Sequence, residues 1–122
     1  MSQFKLKDKS VFITGGAGFI GSAFIERLIK DNQITIYDNF RRDALSAKPY
    51  SSHPNLTIVK GDILDFPKLK AAMEGFQYVI HCAAIAGIDT VIKKPTETMR
   101  VNMVGTANVY EGYMLSPRRA GS

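Results

Sequence analysis

The sequence predicts an α/β chain built on a doubly wound parallel sheet, and three observations carry that expectation. Short β-branched runs alternate with amphipathic stretches, the pattern of repeated strand–helix units. The first run ends in a glycine-rich turn, Thr14-Gly15-Gly16-Ala17-Gly18-Phe19-Ile20-Gly21, that opens onto a helical pattern. A carboxylate, Asp38, stands at the end of the second run.

Taken in order, Ser10 to Thr14 (SVFIT) reads as the first strand, since β-branched and aromatic residues suit a buried pleated surface. Phe19 to Lys30 reads as a helix whose apolar face carries Phe19, Ile20, Ala23, Phe24, Leu28 and Ile29. Ile34 to Tyr37 is the second strand, Leu56 to Lys60 the third and Tyr78 to Cys82 the fourth. Residues 39 to 55, with Pro49, Ser51, Ser52 and Pro54, read as a loop. Asp65 caps a short helix with Pro67 in its first turn and Gly75 just past its end. Pro95 opens a long helix on which Met99, Met103, Ala107 and Tyr110 share helical spacing; Met99, Met103 and Tyr110 are expected to face the core. Gly112 weakens that helix and Pro117 stops it. The expected spatial order is 3-2-1-4, which leaves strand four as an unpaired apolar edge on a sheet of about four strands, incomplete for its type.

Composition narrows the setting. A chain of 122 residues makes one domain, taken as residues 1–122. The net charge of +5 is spread over Lys5, Lys7, Lys9, Arg41, Arg42, Lys93, Lys94, Arg118 and Arg119 without a continuous stripe, so nucleic acid is not expected as a partner. Cys82 is the single cysteine, which rules out an internal disulfide and fits a reducing cytoplasm. The polar start MSQFKLKDKS has no apolar signal core, and the apolar runs are too short for a membrane span; a cytoplasmic protein is expected. His53 and His81 read as isolated, without metal-ligand spacing, and no metal is expected.

The glycine turn points to chemistry. Gly15 lets the chain bend sharply out of the strand, Gly18 lets backbone amides approach a diphosphate, and Gly21 lets helix and strand pack closely. The helix start then offers unpaired N–H groups and positive dipole to an anion. Asp38 lies at the spacing at which a carboxylate accepts hydrogen bonds from both hydroxyls of a ribose, and it would repel a 2′-phosphate. This is the arrangement of a Rossmann-type sheet, with NAD favoured over NADP. Arg41 and Arg42 argue weakly for the phosphorylated cofactor.

Five segments carry a family resemblance: TGGAGFIGS (14–22), YDNF (37–40), GDILD (61–65), HCAAIAG (81–87) and RVNMVGTANV (100–109). In that order and spacing the sequence resembles the extended short-chain dehydrogenase/reductase family, the NAD-dependent nucleotide-sugar epimerases and dehydratases, and most of all UDP-glucose 4-epimerases and UDP-glucuronate epimerases or decarboxylases. The resemblance implies that Gly15, Gly18, Phe19, Ile20 and Gly21 line the pyrophosphate, and that Asp38 and Asn39 hold the adenosine ribose. It implies that Asp62 contacts the adenine amino group with Ile63 packing on the ring. Ala83, Ala84 and Ile85 would border the nicotinamide-side ribose and phosphates, and Asn102 would order the cofactor side of the active site. Plainer readings stand beside these. Asp62 also suits a strand-end turn, Ala83 and Ala84 also suit a crowded strand–helix junction, and Asn102 also suits a satisfied buried amide.

The resemblance also implies a catalytic Tyr-x-x-x-Lys pair, and none is found among these residues: Tyr37, Tyr50, Tyr78, Tyr110 and Tyr113 are followed at that spacing by Arg41, Pro54, Cys82, Met114 and Pro117. No catalytic residue is therefore assigned. The expectation is a truncated NAD-binding domain, inactive alone, with the catalytic segment and the domain for a UDP- or dTDP-sugar absent. A half-sheet of this kind is expected to be marginally stable or to self-associate, as a homodimer or through its edge. The alternatives are a non-catalytic dinucleotide-binding module and an interaction protein that pairs through its sheet edge.

Overall fold

Alternation along the strands decides which element covers which face of the sheet. The computed structural model describes residues 6–40, 45, 47–83 and 95–115. β1 (Ser10–Thr14), β2 (Gln33–Asp38), β3 (Leu56–Lys60) and β4 (Tyr78–His81) form one parallel sheet in the order β3-β2-β1-β4. The register sets Ile13 beside Ile36 on one side and Ile80 on the other. Val11, Ile13, Ile34 and Ile36 point to one face and meet Ile25 and Ile29 of α1 (Phe19–Leu28) and its C-terminal flank. Phe12 and Tyr37 point to the other face. They meet Leu69 and Met73 of α2 (Phe66–Met73) and Val109 of α3 (Pro95–Leu115). Helices thus lie on both faces, as a doubly wound sheet requires.

The central strands are sealed: every residue of β1 is buried. Each such Ile or Phe contributes about 1.5–3 kcal/mol relative to leaving it in water. The edges are less covered. β4 is half-buried along its whole length, and Ile58 on β3 is exposed. Among the described residues the thinner cover thus falls on the two outer strands.

Three expectations change. α1 ends at Leu28 and turns a different face inward: Gly21, Ser22 and Ile25 are buried, whereas Phe19, Ile20 and Phe24 are exposed. The stretch 39 to 55 is not all loop. A 3-10 turn, Pro49–Ser52, buries Tyr50, whose hydroxyl donates to the Ser22 carbonyl at 2.9 Å.

The third change concerns α3. Met99, Met103 and Tyr110 do not face the core; they are 63–67 % exposed, and Ala107 is exposed as well. The buried stripe is Thr98, Gly105, Val109 and Gly112. Small residues take the inward side because the helix comes so close that a methyl group at Gly105 would strike the Ile63 side chain. Gly112 lies inside the helix, against Met73, rather than at a weak end. Pro117 lies outside the described residues.

Candidate functional site

Parallel strands all deliver their carboxyl ends to one edge, and in a doubly wound sheet that edge is where ligands bind. At its centre β1 leaves the sheet at Thr14. Gly15 takes φ +70°, a conformation costly for other residues, and its N–H donates to the Tyr37 carbonyl at 2.9 Å. A side chain at Gly15 would meet the Ala83 amide at 2.6 Å, so turn and β4 exit are in backbone contact. The chain closes on itself where Gly18 N–H donates to the Gly15 carbonyl at 3.1 Å. α1 starts immediately afterwards, and a methyl on Gly21 would lie 2.7 Å from Gly16 Cα and strike the Gly15 carbonyl.

Gly18 is different. Its φ is −83°, and an added methyl would meet nothing nearer than the Gly15 carbonyl at 3.4 Å. Among the described residues nothing requires glycine here, so the turn leaves free space beside Gly18. That space adjoins the amides of Phe19, Ile20 and Gly21, the first of α1, which have no intrahelical acceptor. No side chain caps this end, and its first turn holds no acidic residue. A diphosphate fits such a cradle, because N–H groups and the helix dipole both favour negative charge there.

Asp38 closes the turn from the side. It is buried, and each carboxylate oxygen accepts a backbone N–H, one from Ala17 at 3.1 Å and one from Phe40 at 2.6 Å. Each oxygen keeps lone-pair capacity for a further donor. The Asp38 carbonyl also accepts the Gly61 N–H at 2.9 Å, which ties the exits of β2 and β3 together. Asn39 follows at the exposed surface.

The β3 exit is built around Tyr37. Its hydroxyl donates to the Asp62 carbonyl at 3.0 Å, and a side chain at Gly61 would run into its ring. Burial, then the charges of Asp65 and Asp62, push the Tyr37 hydroxyl up to about 12, so it stays a donor through the neutral range. Asp62 is exposed and forms a turn, its Oδ1 accepting the Leu64 N–H at 2.9 Å. Asp65 caps α2 as expected, accepting the Lys68 N–H at 3.3 Å. The Ile63 side chain is 7 % exposed and packs into the core against Gly105. Its carbonyl accepts from Asn108 Nδ2 at 2.9 Å, so the segment is held from α3.

On the other side, the β4 exit is organised by a residue read as isolated. The His81 ring lies between Thr14 Oγ1, 2.6 Å from Nδ1, and Thr106 Oγ1, 3.1 Å from Nε2. Thr14 Oγ1 also accepts the N–H groups of Cys82 at 3.1 Å and Ala83 at 3.3 Å. Burial lowers the pKa of His81 and raises that of Cys82, so both side chains are kept neutral. The backbone carbonyl of Asn102, half-buried on α3, accepts the Thr106 hydroxyl at 2.6 Å. The structure thus brings Gly15, Gly18, Gly21, Asp38, Asp62 and Ala83 to one edge of the sheet, while Ala84 and Ile85 lie outside the described residues. His53, also read as isolated, accepts the Asn55 N–H through Nδ1 at 3.0 Å. Thr14, His81, Thr106 and Asn108 escaped the sequence reading because their partners are far away in the chain; the Thr and His within TGG and HCAA were the available signal.

Comparisons agree with this geometry. Residues 11–115 match the model of the NAD dependent epimerase/dehydratase family. UDP-glucose 4-epimerase of Rickettsia rickettsii is 31% identical over 108 residues, which cover 84% of this chain and 32% of that protein. The UDP-N-acetylglucosamine 4-epimerase of Methanobrevibacter ruminantium, solved with UDP-N-acetylmuramic acid, superposes with a TM-score of 0.80 at 34% identity, covering 88% of this chain and 34% of that one. The UDP-glucose 4-epimerase of Thermus thermophilus, solved with NAD, gives 0.71 at 28% identity over 84% of this chain and 33% of that one. The chain spans about a third of the length of the relatives it matches. A match over nearly the whole chain, joined to a 3-2-1-4 sheet with its glycine turn at the β1 exit, shows that this chain belongs to the NAD-dependent epimerase/dehydratase family.

Proposed function

We propose that this chain is the NAD-binding part of an NAD-dependent nucleotide-sugar epimerase or dehydratase, with a UDP- or dTDP-sugar as the substrate of the whole enzyme. The observation that carries this reading is the open space at Gly18 beside the uncapped start of α1. The amides of Phe19, Ile20 and Gly21 would hold the pyrophosphate, and Asp38 with Asn39 the adenosine ribose. Asp62 would meet the adenine. Ala83, Ala84 and Ile85, with Asn102, would border the nicotinamide side. When bound, the nicotinamide supplies a hydride acceptor for a sugar carbon. The residues described here bind and orient it; without a Tyr-x-x-x-Lys pair they are not expected to turn over substrate alone.

Preference for NAD over NADP follows from charge. Asp38 is a buried carboxylate already committed to two amides, so a 2′-phosphate beside it meets repulsion. Isothermal titration of the 122-residue chain with NAD and with NADP tests the reading. Heat is expected with NAD, less with NADP, and little with NAD after Asp38→Ala. Equal heats from wild type and variant would remove Asp38 from the site, and no heat from NAD with wild type would overturn the whole assignment.

A further inference from the structure

His81 sits in a hydrogen-bond chain whose direction is fully determined by hydrogen count. The Thr106 hydroxyl has one hydrogen and donates it to the Asn102 carbonyl at 2.6 Å. Toward His81 Nε2, at 3.1 Å, Thr106 Oγ1 can therefore only accept, so Nε2 carries the ring hydrogen. In a neutral ring the other nitrogen is then an acceptor. Thr14, at 2.6 Å from Nδ1, must donate its hydroxyl hydrogen there. Its oxygen is left to accept, and two amides supply it, from Cys82 and Ala83. The chain runs from the backbone of the β4 exit through Thr14, His81 and Thr106 to the backbone of α3. Its first member touches Gly15, since Ala83 N lies 2.6 Å from where a Gly15 side chain would begin.

We propose that His81, locked as its Nε2–H tautomer by Thr106, is the positioning residue that sets the β4-exit wall of the dinucleotide site against the Gly15 turn; this rests on the reading given under Proposed function. The role is indirect. The ring orients the Thr14 hydroxyl, and that hydroxyl holds the amides of Cys82 and Ala83 where the wall and the glycine turn meet. Thr14 is fully buried, and reversing its hydroxyl would turn the hydrogen toward the Ala83 N–H, which has Thr14 Oγ1 as its acceptor, while the Cys82 N–H also donates to the Thr14 carbonyl at 2.9 Å. Burial of the ring keeps it neutral and so keeps Nδ1 an acceptor.

Thr106 is exposed, so its hydroxyl can be removed without opening the core. Thr106→Val deletes the group that fixes the tautomer, Thr106→Ser keeps it, and Ala107→Val, on the same exposed side, controls for a branched residue in the helix. The sequence has only two histidines, His53 and His81, so the imidazole 15N spectrum of the full chain resolves by comparison with His53→Gln. Wild type, Thr106→Ser and Ala107→Val are expected to show His81 as the Nε2–H tautomer. In Thr106→Val the Nδ1–H form should appear, the amide resonances of Gly15, Cys82 and Ala83 should move, and NAD should bind about fivefold more weakly, the worth of one hydrogen bond. An Nδ1–H ring in wild type, or a Thr106→Val chain with unmoved amides, overturns the proposal. If wild type binds NAD and Thr106→Val binds it equally, the positioning role falls while the dinucleotide reading stands. If wild type binds no NAD but tautomer and amides respond as stated, the reading of the ligand falls and the ordering of the β4 exit by His81 stands.

Discussion

Two regions of the molecule use glycine to bring elements together, and they do it against different opponents. In the β1–α1 turn, Gly15 and Gly21 face backbone: the Ala83 amide and Cys82 carbonyl carbon for one, the Gly15 carbonyl and Gly16 Cα for the other. On α3, Gly105 and Gly112 face side chains, those of Ile63 and Met73. Backbone in a sheet or a tight turn cannot move aside without breaking hydrogen bonds, whereas a side chain can change rotamer. Glycine is therefore indispensable at Gly21, where backbone faces it, and replaceable at Gly112, where the flexible end of Met73 does.

The sharpest break of that comparison is Gly21→Ala. Its methyl would collide with two backbone segments, and a loss of about 3 kcal/mol or more is expected in urea unfolding, beyond the usual range for an added methyl. A loss under about 1 kcal/mol would show that turn and helix can separate. Asp38→Asn comes next. The carboxylate accepts two N–H groups on two oxygens, and an amide offers one oxygen, so the bond to Ala17 or to Phe40 must go. A cost of about 1.5–3 kcal/mol is expected, with a fall in NAD affinity measured by titration.

A smaller effect comes from pH. The pKa of His81 is lowered by burial from 6.5, so the unfolded chain takes up its proton first. Stability from this group is complete above 6.5, falls as the pH drops through that value, and levels off once the folded ring is also protonated. The facing side chains are the hydroxyls of Thr14 and Thr106; the neighbouring thiol of Cys82 has its pKa raised and does not titrate in that window. Thermal melts of wild type and His81→Gln across that range test it, and identical pH profiles would refute it. The smallest effect is on the helix. Gly112→Ala places a methyl 3.1 Å from Met73 Sδ, which can yield, and gains helix propensity of about 1 kcal/mol. Its unfolding free energy is expected to change by less than about 1 kcal/mol in either direction, and a loss as large as that of Gly21→Ala would erase the distinction.

The strands were legible because each is a short run whose chemistry is local: β1 and β3 occupy the residues that their β-branched composition marks, and β2 and β4 differ by a residue at their ends. The Asp65 cap was legible for the same reason, since cap and helix are neighbours. The inward face of α3 was not. Gly105 and Gly112 carry no hydropathy, so counting apolar residues pointed to Met99, Met103 and Tyr110, which are exposed. The approach of Gly105 to Ile63 was likewise not legible, because nothing in GDILD marks a helix arriving from far along the chain.

The glycine turn, the strands and Asp38 belong to the sequence itself, because backbone freedom, hydrogen-bonding capacity and strand propensity are properties of residues and their close neighbours. Which face of α3 meets the sheet, and that His81 joins Thr14 to Thr106, were decided by packing. Those contacts join residues far apart in the chain, and their partners become defined only when the sheet has brought them within hydrogen-bonding distance.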